Sequence, residues 1–336
     1  MAIQIPRIGT LPAGPRDAIT DVPGVTVGHC TLAQDELQTG VTVVRPHPGD
    51  PYQHKVPAAA AVLNGFGKSV GLVQVGELGV LETPIALTNT YAVPMVALAQ
   101  IRACIAANPE AGRSLPTVNP LVFECNDGYL NDIQRLAIGE QHYALALAEA
   151  GVCFEQGAVG AGRGMSSFGL KGGIGSASRC CAGYCVGALV LSNYGRPQQL
   201  TLAGQWLGDL QTPAQAGPEK GSIIMLIATD APLDARQLRR LALRAGAGLA
   251  RTGSVFGHGS GDIALAFSTA YTVPQDPQSP MPALAMLHEA RLDELFQAAA
   301  DSTEQAILHA LFRAEAVTGR NGHHRASLTD RLKAMP

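Results

Sequence analysis

A chain of 336 residues suffices for one large domain or two ordinary ones, and 46% hydrophobic with 15% charged residues describes a globular protein, not a disordered one. A net charge of -3 without a dense Lys/Arg run argues against a nucleic-acid partner. No uninterrupted apolar run reaches the length of a membrane span, and Met1–Arg7 lacks the apolar core of a signal peptide. Seven cysteines, with Cys180 and Cys181 adjacent and no C-x-x-C spacing, count against a disulfide framework and a zinc site, so a reduced, cytoplasmic protein without metal, cofactor or membrane partner is expected.

In chain order, Asp17–His29 reads as a turn into a short strand, followed by strands at Thr39–Val44 and Ala58–Leu63. Thr83–Thr90 predicts another strand and Pro94–Ala107 a helix. Leu121–Asp132 is a strand ending in a polar turn, and Glu140–Ala150 is helical by composition. The glycine-dense stretch Gly157–Gly175 comes next, then an apolar strand at Tyr184–Asn193. Leu202–Lys220 reads as an exposed loop, Ser222–Thr229 as a buried strand and Asp234–Arg251 as an amphipathic helix. Two closing helices are expected at Leu284–Ala300 and Thr303–Ala316, before a loose polar tail from Gly319. Strands and helices mix throughout, so the class is α/β or α+β, with no clear domain linker.

The chemistry centres on Gly257-His258-Gly259-Ser260-Gly261-Asp262, which delivers a serine to the mouth of the alternating strand Ile263–Ser268. Taken alone this is an ordinary Gly-rich turn. A serine with no bulky neighbour at a strand mouth is also well placed for nucleophilic attack, and His258, two residues away, is a poor base for it because its side chain points elsewhere. Asp301-Ser302-Thr303-Glu304 has the pattern of a capping box, or of a hydroxyl and carboxylate that organise protons at a helix start. Glu124, Asn126, Asp127 and Tyr129 cluster at a strand end, as does Asn193, although Asn-Asp-Gly and Asn-Tyr-Gly are also plain turn signals. Gly160–Met165 lacks Walker spacing and Lys171 has no following Ser or Thr, which disfavours nucleotide binding.

Taken together, Ala18–Val25, Thr39–Thr42, Leu63–Gly65, Glu124–Gly128, Phe168–Gly175, Asn193–Gly195, Ala228–Leu233, Gly259–Asp262 and Ser302–Glu304 resemble, in their order, the L-aminopeptidase/D-esterase family, which includes the β-peptidyl aminopeptidases. The resemblance implies a four-layer αββα sandwich like that of N-terminal-nucleophile hydrolases, with different connectivity. It implies one domain, 1–336, that cleaves itself between Gly259 and Ser260 into fragments 1–259 and 260–336. It implies a small peptide or amide substrate and a homo-tetramer. By the same resemblance Ser260 is the nucleophile, Ser302 and Glu304 tune its amine, Asn193 stabilises the oxyanion, Glu124 binds the substrate's amino group, and Tyr129 or Asn126 assists the oxyanion. Arg163, where many relatives carry a small polar residue, is expected to alter the pocket. Two other readings compete: an acyltransferase resembling ornithine acetyltransferases, which usually present threonine at the junction, and a non-catalytic metabolite-binding homologue.

Overall fold

The structure, a computed structural model, describes residues 4–208 and 221–334. Strands β1 (Thr26–Gln34) and β2 (Leu37–Arg45) form a hairpin in full register, closed at Asp35, which takes φ 48°. Aspartate tolerates that left-handed conformation because its short side chain bonds locally. There follow β3 (His54–Gly65), α1 (Leu72–Leu78), β4 (Ile85–Asn89), α2 (Val93–Ala107), β5 (Val122–Cys125) and α3 (Glu140–Ala148). The second half contributes β6 (Gly173–Cys181), β7 (Tyr184–Asn193), β8 (Ser222–Thr229), α4 (Ala235–Arg251), β9 (Gly261–Ser268), α5 (Leu292–Phe312) and α6 (Leu328–Lys333).

These elements build two stacked sheets. The smaller has four strands in the order β1-β2-β4-β5. The larger has seven, its long strands running β3-β9-β8-β7-β6. Val41, Val43, Ala86 and Val122 turn outward from the small sheet onto Val93, Val96, Tyr143 and Ala146 of α2 and α3. Val44, Leu87 and Phe123 turn inward and meet Leu189, Leu191, Leu226, Ile263, Leu265 and Phe267 of the large sheet. The opposite face of β9 carries Asp262, Ala264, Ala266 and Ser268, and its small alanines let α4 lie close, while α5 lies on β6 and β7. Four layers result, helices outside two sheets, as the resemblance implied. Fully buried Leu238, Leu241 and Leu249 anchor α4, at about 1.5–3 kcal/mol each. A capping box fixes the start of α4: Asp234 Oδ1 accepts from the Gln237 amide at 2.7 Å, and Gln237 Oε1 from the Asp234 amide at 3.1 Å. Helix α4 is the crossover joining the parallel strands β8 and β9.

Several expectations are corrected. The two closing helices are one, α5, with Asp301–Glu304 in its middle and not at a start. Tertiary partners satisfy the polar run: Arg251 donates to Asp301 Oδ1 at 2.7 Å, Ser302 Oγ donates to the Val186 carbonyl at 3.2 Å, and Thr303 Oγ1 back-bonds to the Ala299 carbonyl. The tail is not loose either: Val317–Thr318 pairs with His324–Arg325, Arg320 Nε reaches the Gly128 carbonyl, and Leu328 is fully buried. The glycine-dense stretch continues into β6, where a Cβ on Gly175 would collide with the Ala306 carbonyl of α5. Of the loop expected at Leu202–Lys220, residues 201–206 form a short hairpin and 209–220 lie outside the described residues. One helical stretch, Thr90–Ala107, is long and apolar enough to cross a membrane by length and composition, although Gln100 and Arg102 interrupt its apolar run. In the structure it lies on the small sheet, where its Gln100 Nε2 donates to the Pro84 carbonyl at 2.7 Å.

Candidate active site

The register of the large sheet brings four chain segments to one edge: Gly65 of β3 pairs with Gly261, Gly261 with Ser222, and Ser222 with Asn193. Ser260, immediately before β9, sits at this edge with 1% exposure. Its Oγ donates to Asp262 Oδ1 at 2.6 Å. The two side chains meet because residues i and i+2 of extended backbone share a face. Asn64 holds the approach to the serine: its Nδ2 donates to the Gly257 carbonyl at 2.9 Å, to that of His258 at 3.3 Å, and to that of Ser260. The Ser260 amide donates back to the Gly257 carbonyl at 2.9 Å, so the turn carrying the Gly259–Ser260 bond is held from both sides. The His258 ring lies 6.4 Å from that of Phe66 and makes no bond to Ser260.

Beside the turn opens a cavity of about 520 Å³, lined by Gly259, Glu124, Asn126, Tyr129 and Asn193 among others. Glu124 stands at the end of β5, where the parallel pairing with β4 points the strand ends toward the cleft. The Lys68 amide donates to its Oε1 at 2.8 Å and the Thr90 hydroxyl to its Oε2. Gly67 packs between this carboxylate and the large sheet: a Cβ there would lie 3.6 Å from Glu124 Oε1 and 3.9 Å from Gly261 Cα. Asn193 Oδ1 accepts from the Ser166 amide at 2.8 Å, and its Nδ2 donates to the Asn126 carbonyl at 3.0 Å, which leaves the second Nδ2 hydrogen for a ligand. Asn126 Oδ1 closes a turn by accepting from the Gly128 amide. Tyr129 stacks on His323 with centroids 4.5 Å apart, and the Arg325 guanidinium lies 3.6 Å from the Tyr129 centroid.

Ser302 and Glu304 are not brought to Ser260. Ser302 bonds the carbonyl of Val186, which pairs with Thr229, and Thr229 pairs with Ser268. Eight residues of extended strand therefore separate the two serines along the sheet, about 25 Å. Glu304 lies on the helical side of the sheet, 3.4 Å from the Arg251 guanidinium, and burial raises its pKa above the ordinary value while Arg251 pulls it back. Arg163 does not line the cavity: it bonds Gln38 Oε1 at 2.7 Å and pairs with Glu315 at 2.8 Å. Lys171 is a fully buried strut whose ammonium donates to the carbonyls of Gly162, Met165 and Gly172 at 2.8–2.9 Å.

The reading of the sequence missed Asp262, Asn64, Thr90, Ser222 and Arg325. The spacing Ser-x-Asp entering a strand was a usable signal for Asp262. Nothing in the sequence signalled Arg325, which reaches the site from a segment that reads as tail. Among the described residues no cluster of His, Cys, Asp and Glu could hold a metal ion.

Residues 17–325 match the family model Peptidase family S58. The chain belongs to peptidase family S58. It is 35% identical to the β-peptidyl aminopeptidase BapA of Sphingosinicella xenopeptidilytica, over 95% of this chain and 86% of that protein. Its fold is similar to that of a Burkholderia sp. β-aminopeptidase (TM-score 0.91, 41% identity, 97% of this chain and 95% of that one). It is similar also to the L-aminopeptidase D-Ala-esterase/amidase of Ochrobactrum anthropi (TM-score 0.90, 34% identity, 98% and 95%), described as a prototype for the serine aminopeptidases and a new variant among the Ntn hydrolase fold. This S58 member is thus a hydrolase with aminopeptidase and amidase function, on a variant of the Ntn hydrolase fold.

Proposed function

We propose that this S58 aminopeptidase matures by cutting its own chain between Gly259 and Ser260, and that Ser260 is the nucleophile both of that cut and of substrate hydrolysis. The observation that carries the reading is the hydrogen bond from Ser260 Oγ to Asp262 Oδ1, 2.6 Å, next to Gly259, which lines the cleft containing Glu124. In the uncut chain Asp262 takes the hydroxyl proton as Oγ attacks the Gly259 carbonyl. The C–N bond breaks, the proton passes to the departing Ser260 nitrogen, and an ester joins Gly259 to Ser260 Oγ. Water hydrolyses that ester, which leaves a Gly259 carboxylate and a Ser260 carrying both a hydroxyl and an α-amine. With a pKa near 8 that amine serves as the base in later turnovers.

In those turnovers Glu124 receives the substrate's ammonium group, and Ser260 Oγ attacks the following carbonyl. The free Nδ2 hydrogen of Asn193 stabilises the oxyanion, and water releases the acyl group. Tyr129 and Asn126 shape the wall beside it. The names of the relatives make β-amino-acid peptides the first substrates to try beside α-peptides and amides. Exposed Met95, Leu98 and Ile105 on α2, with Tyr91 in the turn before it, favour self-association into the homo-tetramer the resemblance implies, which light scattering would measure.

Intact mass spectrometry of the purified chain beside Ser260→Ala tests the cut. Two fragments, the second beginning at Ser260 and both absent from the variant, are expected. A single uncut chain in both preparations would overturn the proposal.

A further inference from the structure

We infer that Arg325 is a specificity residue that binds the free C-terminal carboxylate of short peptide substrates. The inference rests on the reading of Ser260 and Glu124 above and adds the other end of the substrate. Glu124 is the one carboxylate among the described residues lining the cavity, whereas Lys68 and Arg325 line it as cations. The Lys68 ammonium lies 4.2 Å from the Phe66 centroid, and its backbone amide serves Glu124 on the near side of the cleft. Arg325 is held differently. Its Nε donates to Ser166 Oγ at 3.2 Å, its guanidinium lies over the Tyr129 ring, and among the described residues it makes no ion pair with a carboxylate. A partly buried guanidinium, fixed in its plane and without a counter-ion, is built to receive a planar anion.

Position decides which anion. Across the sheet edge the order is β3, β9, β8, β7. Glu124 lies over the start of β9, since a Cβ on Gly67 would stand 3.6 Å from its Oε1 and 3.9 Å from Gly261 Cα. Arg325 is joined to the β7 side, since Ser166, its partner, donates its amide to Asn193. Ser260 stands at the start of β9, on the Glu124 side. Two strand spacings, about 10 Å, separate β9 from β7, so Arg325 meets only the far end of a short peptide whose ammonium sits at Glu124. A dipeptide or tripeptide is gripped at both termini; an amide, an ester or a long peptide is gripped only at its ammonium end.

The test compares kcat/KM of the processed enzyme for alanyl-alanine, its C-terminal amide, and alanyl pentapeptides. Wild type is expected to favour the dipeptide over its amide by about tenfold to a hundredfold, mostly through KM, as a charge-assisted contact predicts. Arg325→Gln should bring that ratio close to one, with Arg325→Lys in between. A wild-type ratio near one, or a ratio unchanged in Arg325→Gln, overturns the inference. So does a ratio that collapses in Lys68→Met and persists in Arg325→Gln, which assigns the carboxylate to Lys68. If Arg325→Gln does not fold, Arg325→Lys and Lys68→Met decide: the ratio should fall in the first and persist in the second. Turnover of amides with no preference for free carboxylates leaves the Ser260 reading standing, whereas hydrolysis of neither class by processed enzyme removes both.

Discussion

Ser260 and Ser302 are the same residue, each no more than 1% exposed, each with its hydroxyl in a short list of contacts, and their surroundings make them chemically unlike. The Ser260 hydroxyl gives its proton to a carboxylate at a sheet edge, beside a cleft. The Ser302 hydroxyl gives its proton to a backbone carbonyl between α5 and β7, where no substrate reaches. A carboxylate can remove a proton and a peptide carbonyl cannot, so the partner and the access, not the residue type, separate a nucleophile from a packing group.

The comparison breaks first at the serines themselves. Ser260→Ala should abolish both maturation and amide hydrolysis, whereas Ser302→Ala should mature and retain activity within about twofold; loss of turnover in a folded Ser302→Ala would return Ser302 to the site. Asp262→Asn keeps the shape and removes the base, so self-cleavage followed on denaturing gels should slow by about 10²–10⁴-fold. Cleavage at the wild-type rate would show that Asp262 only positions the hydroxyl.

A buried carboxyl on the cleft loop adds a pH-dependent test. Asp127, beside Asn126 on the cleft loop, is pushed up to about 7 by burial, with Thr39, Asn131 and Asn89 pulling the other way; it in turn acts on buried Lys171. A pKa raised in the folded state means that the native protein binds the proton more tightly than the unfolded chain, whose value is near 3.9. Stability from this group is therefore full below about pH 4 and is lost as pH rises toward 7, by a few kcal/mol at most. Urea unfolding of Asp127→Asn between pH 4 and 7 should lack that fall; an identical slope in both proteins refutes it. The smallest effect is expected in the helix: Ser302→Ala should cost about 1 kcal/mol of stability in urea unfolding, one neutral hydrogen bond, against a measured change near zero if that bond is not formed.

Much of this molecule was legible in its sequence because local patterns survive burial. Alternation in Ile263–Ser268 assigned opposite faces before any fold was known, and the helix at Asp234–Arg251 declared its stripe and its cap. The cleft residues Glu124, Asn126, Tyr129 and Asn193 were legible as polar residues at strand ends. Asp301–Glu304 misled because Asp, Ser and Thr followed by Glu is a helix start in isolation, and only Arg251 and the Val186 carbonyl, distant in sequence, let the helix run through it. The sequence alone determined the mixed α/β class, the serine at the mouth of a strand and the small residues before it, since these follow from periodicity and backbone freedom, whereas the four layers came as what the resemblance implied. Tertiary structure alone decided which carboxylate meets Ser260, how far Ser302 stands from it, and that Arg325 returns from the C-terminal segment to face the cleft, because such contacts depend on strand order and long loops that no local pattern encodes.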